Sequence, residues 1–156
     1  SPSSPLAATL ASLIDEDSVA VPVIVRSELL AGTTGASRER LERNLAALID
    51  ALHARGFTIA VETNGTVAAP PGLDWICVSP KAGAELILRK GHELKLVYPQ
   101  PENKPEDFAN LEFERFSLQP LDGPDIAQST QAAIAYCLAH PQWRLSVQTH
   151  KTLGIR

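Results

Sequence analysis

Hydrophobic residues recur with helical periodicity in one segment of the first half of the chain. Four leucines form the pattern, at spacings of 4, 3 and 4: Leu41, Leu45, Leu48 and Leu52. This spacing places them along one stripe of an α-helix, with charged residues largely off the stripe. Ser37 precedes the stripe as a candidate N-cap, and Gly56 follows it where a terminating glycine is expected.

Short β-rich runs alternate with polar connections through the rest of the chain. The runs are Phe57–Val61, Trp75–Val78, Glu93–Tyr98, Phe113–Leu118 and Arg144–Gln148. Helical stretches are predicted between them at Ala82–Arg89 and Ile126–Ala139. Strands that alternate with helices are typical of an α/β fold with a parallel or mixed sheet.

The N-terminal residues follow a weaker pattern. Leu6–Ile14 is consistent with a short helix, and Ser18–Val25 with a strand that an internal proline would confine to a sheet edge. A glycine-rich loop follows. The pattern over these residues therefore predicts a helix, a candidate edge strand and a loop.

Polar clusters follow four of the predicted strands. They are Glu62–Gly65, Ser79–Lys81, Gln119–Gly123 and Gln148–Lys151. The carboxyl ends of parallel strands share one edge, here called the rim, where ligands bind. Two carboxylates (Glu62, Asp122) and two ammonium groups (Lys81, Lys151) favour a polar zwitterionic or ribose-bearing ligand. The alternative is that these residues are polar simply because loops are solvated.

Composition narrows the classes of protein. The 156 residues are 44% apolar and 21% charged, which fits one globular domain and excludes a disordered or collagen-like chain. The net charge of −4 argues against nucleic-acid binding. No apolar run reaches the roughly 18–20 residues that span a bilayer, and the first residues do not form a signal peptide. We expect a cytoplasmic protein without a membrane or nucleic-acid partner.

Four segments match a known family in order and spacing. They are Trp75–Lys81, Glu93–Val97, Leu118–Pro124 and Trp143–Lys151. They resemble the C-terminal portion of the 7-carboxy-7-deazaguanine synthase family of radical S-adenosylmethionine enzymes. The resemblance begins near Ala47, includes Phe57–Gly65 and runs to Arg156. It therefore implies a non-matching segment over residues 1–45, with the predicted helix, candidate edge strand and loop, and a partial radical S-adenosylmethionine barrel over residues 46–156. It implies an incomplete (β/α) barrel-like, mostly parallel sheet with flanking helices, in a protein that is usually a homodimer.

The resemblance also implies a lyase reaction of queuosine and 7-deazapurine biosynthesis. The family contracts the ring of 6-carboxy-5,6,7,8-tetrahydropterin with a [4Fe-4S] cluster, S-adenosylmethionine and Mg²⁺. The cluster reductively cleaves S-adenosylmethionine, and the resulting 5′-deoxyadenosyl radical abstracts a substrate hydrogen. The rearranged ring then loses ammonia.

By resemblance, two loops contact S-adenosylmethionine. The contacting residues are Ser79, Pro80, Lys81, Gln119, Pro120, Leu121 and Asp122. Leu121 stands where the family commonly has Met, a volume-conserving change. The terminal carboxylate of Arg156 would approach the substrate, where the family often ends in Pro. The roles of Glu62, His150 and Lys151 stay open, and no catalytic residue is assigned.

The chain departs from the family at the cluster site. The family holds its cluster on a C-x3-C-x2-C loop and grips the methionine moiety with a Gly-Gly-Glu-Pro strand end, and neither motif occurs here. The two cysteines, Cys77 in an apolar strand and Cys137 in an Ala-rich helix, are predicted to be buried structural thiols. We assign no metal ligand and expect the chain to be inactive in ring contraction.

Two alternative functions stay open. The chain is either a non-catalytic cofactor- or pterin-binding remnant, which includes a subunit completed by another chain, or a metal-dependent ribonuclease fragment. The second idea comes from Pro22–Gly32, which resembles a PIN-domain segment with Glu28 as a metal-binding acid. Such a site needs three or four carboxylates around Mg²⁺ or Mn²⁺, and the partner motifs are missing.

Overall fold

A computed structural model describes residues 35–155 of the chain. The predicted elements Leu6–Ile14 and Ser18–Val25, the PIN-like Glu28 and the terminal Arg156 lie outside the described residues. The described residues fall into two compact units. One comprises residues 35–61 and 69–75, and the other comprises residues 62–68 and 76–155.

The first unit contains helix α1, Ala36–His53, which is the helix that the leucine pattern predicts. The predicted cap is wrong, because Gly35 occupies the N-cap position and Ser37 lies inside the helix. Gly56 follows the helix with φ of 81°. A left-handed conformation is one that glycine adopts without a steric penalty, and it ends the helix as predicted.

Among the α1 side chains whose burial the structure describes, Ile49 is the most buried, and it lies beside the predicted stripe. Leu45, Leu48 and Leu52 are half-buried, whereas Ile49 is 6% exposed. Gly72 comes so close that a Cβ there would lie 2.9 Å from Cγ2 of Ile49. The leucine spacing therefore identifies the helix but not its buried isoleucine.

Five strands form one parallel sheet in the order β1-β2-β3-β4-β5. Their bounds are Ala60–Thr63 (β1), Trp75–Val78 (β2), Lys90–Tyr98 (β3), Glu112–Pro120 (β4) and Trp143–Leu145 (β5). Both β1 and β2 begin in the first unit and end in the second. Within residues 35–155 this sheet does not close on itself, so the predicted incomplete, barrel-like α/β fold is confirmed.

Three helices follow the central strand in the chain. They are α2 (Pro105–Phe108), α3 (Ile126–Ala139) and α4 (Thr149–Thr152). The bounds of α3 and β2 are those predicted, whereas β4 extends to Pro120 and β5 ends at Leu145. In the described part of the chain, no helix is both long and apolar enough to cross a membrane.

Residues 82–89 do not form the predicted helix. They contain a turn followed by irregular, extended chain. The carbonyl of Gly65 accepts the N–H groups of both Ile87 and Leu88 at 2.9 Å, so these groups are not available for helical bonds. Leu86 and Leu88 pack against the core instead.

One face of the sheet is apolar and is covered by α3. Its fully buried side chains are Val78, Leu94, Leu96 and Leu118, and Ala133 of α3 packs among them. The strand register explains why these side chains form one apolar layer, because Val78 is paired with Leu94 and Leu96 is paired with Leu118. Paired residues of parallel strands point to the same side, so the intervening positions Cys77, Glu93 and Lys95 share the opposite face.

Substitution of Gly65 by alanine should destabilise the second unit more than the same substitution at Gly83. Both glycines have positive φ, 78° and 74°, which costs alanine about 1–2 kcal/mol. A Cβ at Gly65 would also lie 2.6 Å from Leu86 and 2.7 Å from Val78, whereas nothing lies within 4 Å at Gly83. We expect the overlap to add about 1–3 kcal/mol to the loss for Gly65→Ala, measured by urea unfolding.

Equal losses of unfolding free energy in Gly65→Ala and Gly83→Ala would contradict this packing. They would show that Gly65 is needed for its backbone conformation alone.

Candidate functional site

The two predicted ligand loops lie at the same edge of the sheet. Ser79–Lys81 directly follows β2, and Gln119–Asp122 begins in the last two residues of β4 and continues past its end. Strand β3 lies between β2 and β4 and is parallel to both. The carboxyl ends of all three strands therefore form the rim that the sequence predicts.

The backbone of the first loop is held from two sides. The N–H of Ser79 donates to the carbonyl of Thr63 at 2.7 Å, which ties the loop to the end of β1. The side-chain amide of Asn103 donates to the carbonyl of Pro80 at 3.2 Å. Pro80 is buried, while Lys81 is exposed. The loop thus presents an exposed cation from a backbone that is hydrogen-bonded at Ser79 and Pro80.

The second loop is an extension of the sheet. Gln119 and Pro120 are the last residues of β4 and pair with Val97 and Tyr98. The N–H of Leu121 donates to the carbonyl of Tyr98 at 2.8 Å, so the hydrogen bonding continues one residue past the strand. The side chain of Leu121 is 41% exposed. An apolar side chain with this exposure can contact a ligand at the rim.

Asp122 and Lys151 form an ion pair across the rim. The Nζ atom of Lys151, in α4, donates to Oδ2 of Asp122. This hydrogen bond, and then the charge of Lys151, hold the pKa of Asp122 below its ordinary value. Both side chains are about half exposed. The carboxylate is therefore ionised at neutral pH and accessible.

Glu62 pairs with Lys95, a residue that the sequence reasoning did not select. Nζ of Lys95 donates to Oε1 of Glu62 at 2.6 Å. Glu62 is in β1 and Lys95 in β3, so the pair passes over β2 on the polar face of the sheet. Burial opposes the charge on Lys95, but the hydrogen bond to Glu62 and the nearby acidic groups outweigh it and raise the pKa.

A signal for Lys95 was available in the sequence. It stands between Leu94 and Leu96, both fully buried, in a run of alternating apolar and polar residues. A lysine at the polar position of a central strand needs an acidic partner. The two carboxylates that the sequence places at the rim, Glu62 and Asp122, each have a different lysine as partner.

Cys77 lies under the Glu62–Lys95 pair and is 2% exposed. Burial raises the pKa of this thiol to about 12; Lys95 opposes the rise, and Glu93 and Glu62 add to it. The predicted burial of Cys77 is confirmed. Cys137, in α3, is only half-buried, and burial also raises its pKa.

The residues present do not fit an iron–sulfur cluster. A cluster of this kind needs three thiolates, and the chain contains two cysteines, on β2 and α3, both held as thiols. Within residues 35–155, no three or more His, Cys, Asp or Glu side chains are grouped so that they could hold a metal ion.

Comparison with known proteins gives one consistent name. No family model matches the chain. It is 76% identical over 110 residues to the 7-carboxy-7-deazaguanine synthase of Bradyrhizobium diazoefficiens, an alignment that covers 70% of this chain and 52% of that protein. The proteins of the same name from Caulobacter vibrioides and Bordetella pertussis are 69% and 62% identical, each over 109 residues, with the same coverage of 70% and 52%.

The homology that the sequence motifs predict is thereby confirmed. The aligned length of 110 residues is that of the segment 47–156, in which the resemblance lies. The chain spans about half the length of the curated relatives it matches.

Cys77 should be almost inert toward thiol reagents in the folded protein. In a Cys137→Ser variant it is the only thiol, and at pH 8 on the order of one molecule in ten thousand would carry a thiolate. We expect very slow reaction with a chromogenic disulfide, and rapid reaction in concentrated urea. The matched variant Cys77→Ser retains the half-buried Cys137 and should react faster.

A native Cys77 that reacts at the rate of the unfolded chain would contradict its placement beneath the Glu62–Lys95 pair.

Proposed function

We propose that residues 46–156 form a partial barrel that acts as the S-adenosylmethionine- and pterin-binding portion of a 7-carboxy-7-deazaguanine synthase. The main observation behind the proposal is that Ser79–Lys81 and Gln119–Asp122 lie at the same edge of the sheet. The name shared by the relatives supports it, since they are up to 76% identical to this chain.

The chemistry of the two loops suits S-adenosylmethionine. The ligand carries a carboxylate, an ammonium group, ribose hydroxyls and an adenine ring. Asp122 can accept hydrogen bonds from hydroxyl or ammonium groups, and Lys81 can neutralise a carboxylate. Leu121 offers an apolar surface to a ring. When bound in the family, the ligand supplies a 5′-deoxyadenosyl group.

The polar face beneath the rim suits a pterin. Glu62 is 55% exposed at its side chain, so it can accept further hydrogen bonds while Lys95 holds one of its oxygens. A pterin presents N–H donors along its pyrimidine edge and a carboxylate at the other end. The carboxylate of Glu62 can accept from the donors of the pyrimidine edge, and we assign His150 and Lys151, which follow β5, to the other end of the substrate. The terminal carboxylate of Arg156 is part of the same proposal.

Ring contraction is not assigned to the chain by itself, because its cysteines do not fit the cluster. We propose binding of cofactor and substrate without turnover, either as a non-catalytic protein or as a subunit completed by another chain. We also propose that the protein forms a homodimer and that Mg²⁺ binds together with the substrate. These two parts of the proposal rest on the family resemblance alone. None of the described residues favours a ribonuclease.

Calorimetric titration with S-adenosylmethionine tests the cofactor site. We expect saturable binding to the full chain and a loss of about tenfold or more in affinity for Asp122→Asn, because a hydrogen bond to a charged group is replaced by a neutral one. Asp125→Asn is the matched control, since Asp125 is exposed, lies three residues away and makes no capping hydrogen bond.

Absence of any heat of binding at millimolar ligand would refute the proposed function. Equal weakening by Asp122→Asn and Asp125→Asn would indicate a general charge effect rather than a contact.

Anaerobic reconstitution with ferrous iron and sulfide tests the statement about the cluster. We expect no brown chromophore that dithionite bleaches, and the same background for wild type and a Cys77→Ser/Cys137→Ser variant. A chromophore that appears in the wild-type chain and disappears in this variant would overturn it.

A further inference from the structure

Asn103 is a buried polar residue outside the loops described so far. It is 6% exposed and lies between β3 and α2, two residues before the buried Pro105. Its Nδ2 atom donates to the carbonyl of Pro80 at 3.2 Å and to Oε1 of Gln100 at 3.4 Å. The carbonyl of Pro80 can only accept, so the group that faces it must carry a donor hydrogen.

The end of β3 and the connection that follows it each contact one loop of the rim. Tyr98, the last residue of β3, accepts the N–H of Leu121 in the second loop through its carbonyl. Five residues later, Asn103 reaches the carbonyl of Pro80 in the first loop. Strand β3 lies between the strands that carry the two loops. Strand β3 and the connection after it therefore link the loop after β2 to the loop after β4 through hydrogen bonds.

Asn103 supplies a bond that the first loop cannot make by itself. The carbonyl of Pro80 is an acceptor, and the side-chain amide of Asn103, 23 positions away in the sequence, is the donor that it receives. The carbonyl of Pro80 and the carboxamide of Asn103 are both buried, so water cannot replace this hydrogen bond. Removal of one partner would leave the other buried without a hydrogen bond, which costs free energy. The pair therefore determines the orientation of the peptide between Pro80 and Lys81.

We propose that Asn103 is a positioning residue for ligand binding: through the carbonyl of Pro80 it sets Ser79 and Lys81 at the separation from Asp122 that S-adenosylmethionine requires. This role rests on the proposed function of the rim. It assigns to Asn103 no contact with the ligand.

Two substitutions at this position separate the hydrogen bond from the packing. Asn103→Asp keeps the size of the side chain but replaces the donor with a carboxylate that faces the carbonyl of Pro80. Asn103→Ala removes the side-chain amide, and it is used for the binding measurement if Asn103→Asp does not fold. Gln100→Ala is the matched control, because it removes one acceptor of Asn103 and leaves the contact with Pro80.

The measurement is the affinity for S-adenosylmethionine at about pH 5 and pH 7, with thermal unfolding recorded in parallel. We expect Asn103→Asp and Asn103→Ala to bind about tenfold more weakly at pH 7, and Gln100→Ala to bind as the wild type does. At pH 5 the aspartyl variant should recover affinity relative to wild type, because protonation restores one O–H donor toward Pro80.

The possible results have distinct meanings. If the wild-type chain binds and both Asn103 variants bind equally well, the positioning role is overturned and the proposed function survives. If the variants are destabilised but the aspartyl variant shows no recovery at pH 5, Asn103 only packs the core. If the wild-type chain does not bind at all, the proposed function fails and the positioning role fails with it.

Discussion

The alternation of side chains along β3 is the constraint on which the second unit depends. Leu94 and Leu96 enter the apolar layer under α3, whereas Glu93 and Lys95 stand on the opposite face. Because side chains alternate with a period of two, a slip of one residue would place a lysine among leucines. Each buried leucine contributes about 1.5–3 kcal/mol, and an unpaired buried charge costs several more. The register is therefore strongly determined, and with it the strand ends that form the rim.

The sequence predicts best those elements whose causes are local. The bounds of β2 and α3 follow from short apolar runs and helical spacing that end at polar or proline-containing stretches. Residues 82–89 have the composition of a helix, but the carbonyl of Gly65, some twenty positions earlier, takes two of their N–H groups. The alternation of β3 marks Lys95 as a polar position, but it does not identify the partner, because Glu62 lies 33 positions away. Long-range partners of this kind leave no periodic trace in the chain.

The candidate site divides into parts that depend on different elements. The two loops of the rim, strands β3 and β4, and the connection after β3 all lie within the second unit. Iron–sulfur chemistry depends on three thiolates that this chain does not supply. Homology over 110 residues thus covers the part of the relatives that resembles this chain, about half of their length. Family resemblance supplied the residue assignments at the rim, and geometry added Lys95 and Asn103 to them.

Salt should affect the two lysine–carboxylate pairs differently. The side chains of Asp122 and Lys151 are 57% and 49% exposed, so counterions approach them freely, and at about 0.1 M ionic strength charges are screened over roughly 10 Å. The side chain of Lys95 is only 15% exposed, and its contact with Glu62 is screened much less. The contact of α4 with the loop after β4 should therefore weaken more with rising ionic strength than the contact between β1 and β3. The electrostatic field at the two sides of the rim thus depends on salt to different degrees.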